Sequence, residues 1–410
     1  MTPSRDARDD RTTPPRRDPS AEGCSNMLDV ERLIAPRCRR IDASGIRRVF
    51  ELAATRVNPV NLSIGQPDFD VPEPVKSALI DAVRAGRNGY TVTQGVPELR
   101  LAIRKRLEHE FGRTIDPATT DTLITSGTCG GLVLTYLALL GPGDECIIPD
   151  PYFVVYPQAA RMAEATPVLC DTYPDFRMTA ERIEPLITER TKFVLINSPG
   201  NPTGVTLSDA EVRDIVDLCE ARGVLLVSDE IYDEFTYPDG CDDEGRFPSP
   251  ARYSDQVMLL RGFSKSYAMT GWRLGYATGP APLIQEMGKL QQYSFVCAPS
   301  MVQYAGVVAL KTDMSAHVAD YERKRDRVVA ALEDVTELAR PTGAFYAFPK
   351  IPDRLGLTGR DFVERAIERD LLIIPGGEFS ARDTHFRLSY ATSDDQLDRG
   401  LDLLVDLLSG

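Results

Sequence analysis

The sequence predicts an α/β protein: a three-layer sandwich with a mainly parallel sheet, joined to a smaller α+β domain. Three observations carry this. Between about 120 and 280, short apolar runs rich in β-branched residues alternate with helical patterns, as buried parallel strands and their crossover helices require. From about 312 the texture changes to a long charged helix, short strands and a terminal helix. The 410 residues also exceed what one folding unit usually needs.

The first 25 residues, "MTPSRDARDDRTTPPRRDPSAEGCS", are rich in Arg, Asp, Pro and Ser and nearly free of large apolar side chains. They bury too little surface to offset ordering entropy, so 1–26 is expected to be a disordered tail. Arg alternates with Asp there, unlike an acid-poor transit peptide. Residues 27–62 are expected to join the small domain, because an isolated N-terminal helix cannot form a core. Residues 63–311 form the large domain. Its strands are expected at 121–125, 145–149, 166–170, 192–197, 223–229, 256–262 and 273–279, with helices between several of them, such as 128–140 and 208–222. The latter opens at Ser208 with Glu211 three residues on, a capping-box pattern. Residues 312–410 form the small domain: the helix "HVADYERKRDRVVAALED", "GAFYAFPK", a helix near 360–370, "LLIIPGGEF", "THFRLSYAT" and a last helix.

Composition excludes several functions. No apolar run reaches the roughly 18 residues of a membrane helix. Eight cysteines are scattered without a CxxC pair, which fits neither a zinc site nor a disulfide framework and points to a reducing, cytoplasmic setting. Three histidines and no HExxH speak against a metal centre. A net charge of −14 speaks against nucleic-acid binding through a basic face.

Ligands of open α/β sheets sit beyond the carboxyl ends of the strands, so the residues that follow each strand matter. After 121–125 comes "SGTCGG" and a helix. Small residues and a helix N-terminus suit a phosphate, although Gly-rich turns before helices also occur without one. After 192–197 comes "SPGNPTG", which is either a rigid double turn or a mount that aims Asn201 into the cleft. Asp229 closes the next strand, and a buried carboxylate there needs a cation or a structural partner. Ser264 and Lys265 end the strand after it, with Arg273 eight residues beyond Lys265. An amine, a buried acid and a phosphate cradle at one sheet edge suggest a Schiff base to pyridoxal phosphate.

The stretches "SIGQPDF", "YTVTQGVPELR", "NSPGNPTG", "SDEIYDEF", "GFSKSYAMTGWRLGY" and "FRLSYAT" resemble, in order, those of class I (class I/II) aminotransferases, the pyridoxal-phosphate-dependent enzymes of fold type I. The resemblance spans nearly everything after residue 27. It implies that the cofactor is pyridoxal 5'-phosphate, bound to Lys265 through a Schiff base, and that Lys265 then carries the proton at Cα in a ping-pong exchange. It implies further that Asp229 holds the pyridine nitrogen protonated and that Asn201 and Tyr232 donate to the phenolate oxygen. Gly127, Thr128, Ser264 and Arg273 would hold the phosphate, and Phe153 would stack on the ring. Arg387 would grip the substrate α-carboxylate, with Gly65 and Asn201 beside it. Tyr90 would reach the phosphate of a neighbouring subunit, which requires a homodimer with shared active sites.

Substrate choice is less constrained. Some aspartate-specific relatives carry a lysine where this chain has Cys129, and others an arginine near the stretch reading "QQYSFVCAPS", which has none. Both absences favour aromatic or apolar amino acids over aspartate, with 2-oxoglutarate as acceptor. The acidic segment "DGCDDEGRFPSPARY" (239–253) could alter the entrance. A pyridoxal-phosphate lyase of the carbon–sulfur β-lyase type shares the fold. A non-catalytic ligand sensor is a third reading, disfavoured by the intact set of Lys265, Asp229 and Arg387.

Overall fold

The computed structural model describes residues 28–42, 56 and 58–410; the tail expected over 1–26 lies outside the described residues. Twelve strands are described: β1 Val60–Asn61, β2 Thr120–Ser126, β3 Glu145–Asp150, β4 Thr166–Asp171, β5 Thr191–Asn197, β6 Leu225–Asp229, β7 Val257–Gly262, β8 Leu274–Pro280, β9 Tyr346–Ala347, β10 Leu371–Leu372, β11 Ile374–Pro375 and β12 Phe386–Ser389. Strands β2 to β8 form one seven-stranded sheet in the order β2-β8-β7-β6-β5-β3-β4. Only β8 runs antiparallel to its neighbours. Each of the seven strands lies within two residues of its expected bounds.

Period-2 side-chain alternation explains the three layers. Leu123, Phe193, Leu195, Val227, Met258 and Leu260 point into one core, shared with helices Gly127–Leu139 and Ala281–Ser294. Their neighbours Ile124, Val194, Ile196, Leu226 and Leu259 point into another, covered by helices Pro97–Phe111, Asp209–Arg222 and Ser300–Ala309. A strand buried on both faces has no polar face to show, so it reads as a continuous apolar run. Helix Asp209–Arg222 carries the capping box: the Ser208 hydroxyl accepts from Glu211 N, and Ser208 N donates to Glu211 at 2.7 Å.

A third core gathers Val60, Leu62, Leu371 to Ile374, Phe386 and Leu388 under helices Gly359–Glu368 and Asp394–Ser409. There β1 pairs in parallel with β10, and β11, β12 and β9 form a small antiparallel sheet. Upstream of β1, Asp42 meets Gln158 and Arg161 of helix Val155–Met162. Among the described residues, no helix is long and apolar enough to cross a membrane.

This topology assembles the site. The carboxyl ends of β2, β5, β6 and β7 all lie at one sheet edge, because those strands are parallel. The reversed direction of β8 brings its start, and Arg273 just before it, to the same edge.

Candidate active site

At the end of β2 the chain turns sharply into helix Gly127–Leu139. Gly127 takes φ +67, and a Cβ there would lie 2.6 Å from Nη2 of Arg273. The positive φ favours glycine, and a Cβ would push the Arg273 guanidinium aside. A Cβ at Gly275 would lie 2.7 Å from the Thr128 backbone nitrogen, so β8 is also pressed against this helix start. Arg273 is held at φ +57, and its Nη1 donates to the Thr270 carbonyl at 2.9 Å. Thr128 Oγ1 is buried without a hydrogen-bond partner. Free helix N–H groups, a hydroxyl and a guanidinium thus converge in an anion-binding arrangement.

Asp229, the last residue of β6, is buried. Tyr156 donates to its Oδ2 at 2.8 Å and Ile231 N to its Oδ1 at 3.2 Å. Burial pushes the Asp229 carboxyl up to about 6, although these two donors and the Lys265 charge pull it down. Such a carboxyl is ready to take a cationic partner. Asn197 ties the neighbouring strand in: its amide donates to the Asp229 carbonyl at 2.9 Å, and its Oδ1 accepts from Asn201 N at 2.9 Å.

Arg387 lies on β12 and is 2 % exposed. Its Nη1 donates to Asn201 Oδ1 at 3.1 Å and its Nη2 to the Ser63 carbonyl at 2.9 Å. With Oδ1 occupied, the Asn201 NH₂ is the group left to donate into the cleft. The guanidinium sits 4.6 Å from the Tyr346 ring centroid and 4.8 Å from that of Phe379. It forms no ion pair with a carboxylate among the described residues, and its Nε is buried without a partner. Burial lowers its pKa, as expected for a charge whose compensating anion is not part of the protein.

Lys265 Nζ donates to the Gly65 carbonyl, which brings the "SIGQPDF" loop over the lysine. Nζ also lies 5.8 Å from the Tyr232 ring centroid. A Cβ at Gly65 would approach the Tyr346 hydroxyl to 3.0 Å. The Tyr232 hydroxyl meets that of Tyr346 at 3.0 Å, and burial holds Tyr232 far up as a neutral phenol. Phe153 packs edge-on against Tyr156 with centroids 5.6 Å apart.

These groups line one cavity of about 420 Å³. The structure brings Gly65, Thr128, Phe153, Asn201, Asp229, Tyr232, Ser264, Lys265, Arg273 and Arg387 together there, with Gly127 directly beneath Arg273. Tyr90 lies elsewhere, on the surface and 86 % exposed. Cys129 is on the cavity wall, its thiol pushed up by burial. None of 239–253 lines the cavity. Asp239 there pairs with Arg325 and Arg340, and Asp242 with Arg246 and Arg252, so the acidic segment is tied up in local ion pairs. Sequence reasoning missed Tyr156, Asn197 and Tyr346. Tyr156 stands three residues after Phe153 and Asn197 opens "NSPGNPTG", so proximity to a strand end was the available signal.

A family model described as "Aminotransferase class I and II" matches residues 57–404. The chain is 32 % identical to a probable aspartate aminotransferase of Methanocaldococcus jannaschii, over 92 % of this chain and all of that one. It is 33 % identical to aromatic-amino-acid aminotransferase 2 of Thermococcus litoralis, over 92 % and 98 % of the two chains. The solved aspartate aminotransferase of Thermus thermophilus with maleate superimposes with a TM-score of 0.84 at 33 % identity, covering 91 % of this chain and 99 % of that one. These likenesses favour transamination over the lyase and sensor readings. A lysine, a buried acid and a carboxylate-free arginine on a fold type I scaffold agree with them: the chain belongs to the class I and II aminotransferases and is a pyridoxal-phosphate-dependent transaminase.

Proposed function

We propose that this transaminase moves the amino group of an L-amino acid with an aromatic or apolar side chain to a 2-oxo acid such as 2-oxoglutarate, in a ping-pong exchange at Lys265. One observation carries the substrate preference. Among the described residues, the cations on the cavity wall are Lys265, Arg273 and Arg387, and Ile64, Leu132, Phe153 and Ile231 supply apolar wall. Among the described residues no fourth cation lines it to meet an acidic side chain. Relatives bear both aspartate and aromatic names, so a panel of amino donors with 2-oxoglutarate, read by mass spectrometry, tests the choice. Phenylalanine or tyrosine is expected to outpace aspartate; the reverse order contradicts it.

The residues fit the cofactor. The unpartnered Thr128 hydroxyl and the side-chain-free surface at Gly127 suit its phosphate, and the raised Asp229 carboxyl suits its ring nitrogen. When bound, pyridoxal phosphate supplies an aldehyde for amines and a sink for the electrons released at Cα. In this reading Gly127, Thr128, Ser264 and Arg273 hold the phosphate and Phe153 covers the ring. Asp229 keeps a proton on the ring nitrogen, with Tyr156 fixing its carboxyl. Asn201 and Tyr232 donate to the phenolate oxygen. Arg387, helped by Gly65 and Asn201, orients the α-carboxylate, and Lys265 holds the cofactor and then moves the Cα proton. The chain divides, in the same reading, into a large domain over 63–311 and a small one over 312–410 with 27–62, and it works in the cytoplasm.

Asp229 gives a test with two readouts. Its raised carboxyl means that the folded, cofactor-free chain binds this proton more tightly than the unfolded chain does. The associated stability is present below about pH 4 and lost as pH rises through about 6. Asp229→Asn should therefore stabilise the cofactor-free protein at pH 7 by up to about 3 kcal/mol. The same change should slow transamination on the order of 100-fold or more, because an amide cannot hold the ring nitrogen protonated. Denaturant unfolding and steady-state rates read the two effects. An unchanged rate would make Asp229 a structural acid.

The homodimer rests on Tyr90, exposed together with Val92 and Tyr293. We infer that this face meets a second copy, where Tyr90 reaches the partner's phosphate. Sedimentation at assay concentration should show a dimer, and an active monomer refutes the shared site.

A further inference from the structure

We propose that Tyr346 is a positioning residue for transamination: its hydroxyl donates to Tyr232 and thereby fixes the Tyr232 proton towards the cofactor's phenolate oxygen. The inference rests on the cofactor placement of the preceding section and adds a residue to it.

Two buried hydroxyls face each other at 3.0 Å, and each is the other's sole hydrogen-bond partner among the described residues. One proton lies between them, and the second must point elsewhere. Both rings line the cavity, so two arrangements compete. In one, Tyr346 donates to Tyr232 and Tyr232 donates into the cavity. In the other the order is reversed, and the Tyr346 proton has to find its own acceptor.

The surroundings favour the first. Arg387 sits 4.6 Å from the Tyr346 ring centroid and carries only donors, so that side offers the Tyr346 proton nothing. A guanidinium against the ring also draws electron density from it and strengthens the phenol as a donor. The other charges near the pair are Lys265, 5.8 Å from the Tyr232 centroid, and the Asp229 carboxylate. Asp229 Oδ2 is already taken by Tyr156 and Oδ1 by Ile231 N. Tyr232, in turn, shares the cavity wall with Asn201, whose Oδ1 is taken by Arg387, leaving its NH₂ as the group to donate.

Backbone register builds the arrangement. Tyr346 on β9 is paired directly with Ser389 on β12, and Arg387 is two residues from Ser389, so all three side chains leave the small sheet on one face. Gly65 completes it: a Cβ there would press on the Tyr346 hydroxyl at 3.0 Å. The Tyr346 side chain thus joins the arginine, the lysine-capping loop and the cofactor-side phenol.

In chained hydrogen bonds each donor polarises the next. Tyr232 therefore competes more strongly with the Schiff-base proton for the phenolate oxygen, and that proton leaves at lower pH. The test is the pH midpoint of the visible absorption change of the cofactor-loaded full chain. Tyr232→Phe should raise the midpoint. Tyr346→Phe, which keeps the ring, should raise it too, by about half a pH unit, and should add nothing in the double variant with Tyr232→Phe. A lowered midpoint would mean that Tyr232 donates to Tyr346 and would overturn the proposal. So would an unchanged midpoint, which a purely packing role predicts, or an additive shift in the double variant. A wild-type protein lacking the pH-sensitive visible band would instead overturn the cofactor placement, and this proposal with it.

Discussion

Lys265→Ala should reduce turnover with every amino donor on the order of 10⁴-fold or more while the protein still binds pyridoxal phosphate. The two effects separate because they use different residues. Lys265 supplies the only amine on the cavity wall among the described residues, and under the proposed roles the variant would lose both the covalent attachment and the base that moves the Cα proton; base catalysis alone contributes on the order of 10²–10⁴-fold. Gly127, Thr128 and Arg273, proposed to hold the phosphate, and the Asp229 carboxyl remain in place. Among the described residues Lys265 hydrogen-bonds only to the Gly65 carbonyl, so its loss leaves no buried charge of theirs behind. Equilibrium dialysis and steady-state rates measure the two quantities. Near wild-type turnover in the variant would remove Lys265 from the chemistry.

The second large effect is expected at Arg387. Every amino-acid substrate and its keto acid share the α-carboxylate, so loss of this guanidinium should weaken all of them alike. A buried, charge-assisted bidentate pair is worth on the order of 2–5 kcal/mol, or about 30- to 4,000-fold in kcat/KM. Arg387→Lys should recover only part, because an ammonium cannot present the planar fork. Folding should not suffer in proportion. Arg387 has no carboxylate partner in the described chain and an unpartnered Nε, so the cofactor-free protein already bears the desolvation of this charge. Cys129→Lys is the contrast: it adds a cation to the wall and should shift preference towards aspartate without touching α-carboxylate binding. Aspartate, phenylalanine and alanine kinetics in each variant separate the two roles. A loss in Arg387→Lys confined to one side chain would mean that this arginine reads side chains.

Much of this site was legible because parallel strands bury both faces. Runs such as "KFVLIN" and "QVMLLRG" mark themselves by apolarity, and the residues at their ends then stand out. Asp229, Asn201 and Lys265 follow that rule, and Arg273 stands just before the antiparallel β8. What escaped depends on tertiary geometry. Tyr156 reaches Asp229 across 73 residues, and Tyr346 meets Arg387 through the β9–β12 register; neither contact has a local pattern. The acidic stretch "SDEIYDEF" hid a further division. Alternation sends Asp229 to the cavity and Glu230 to the opposite side, where Arg261 donates to Glu230 at 2.9 Å and forks onto Glu110 at 2.6 and 2.7 Å. Burial pushes the Glu230 carboxyl up to about 7, yet it does not line the cavity. In sequence the two carboxylates look equivalent, and only the pleat of β6 distinguishes them.

Borohydride reduction of the protein as purified with pyridoxal phosphate, followed by peptide mapping, tests the central claim most directly. Reduction fixes the attached cofactor as a stable secondary amine, so the mass of each lysine peptide reports the attachment point. A single labelled peptide is expected, spanning Ser264, Lys265 and Ser266, and its label should vanish in Lys265→Ala. A label on any other lysine, or no label on a protein that transaminates, would contradict the account.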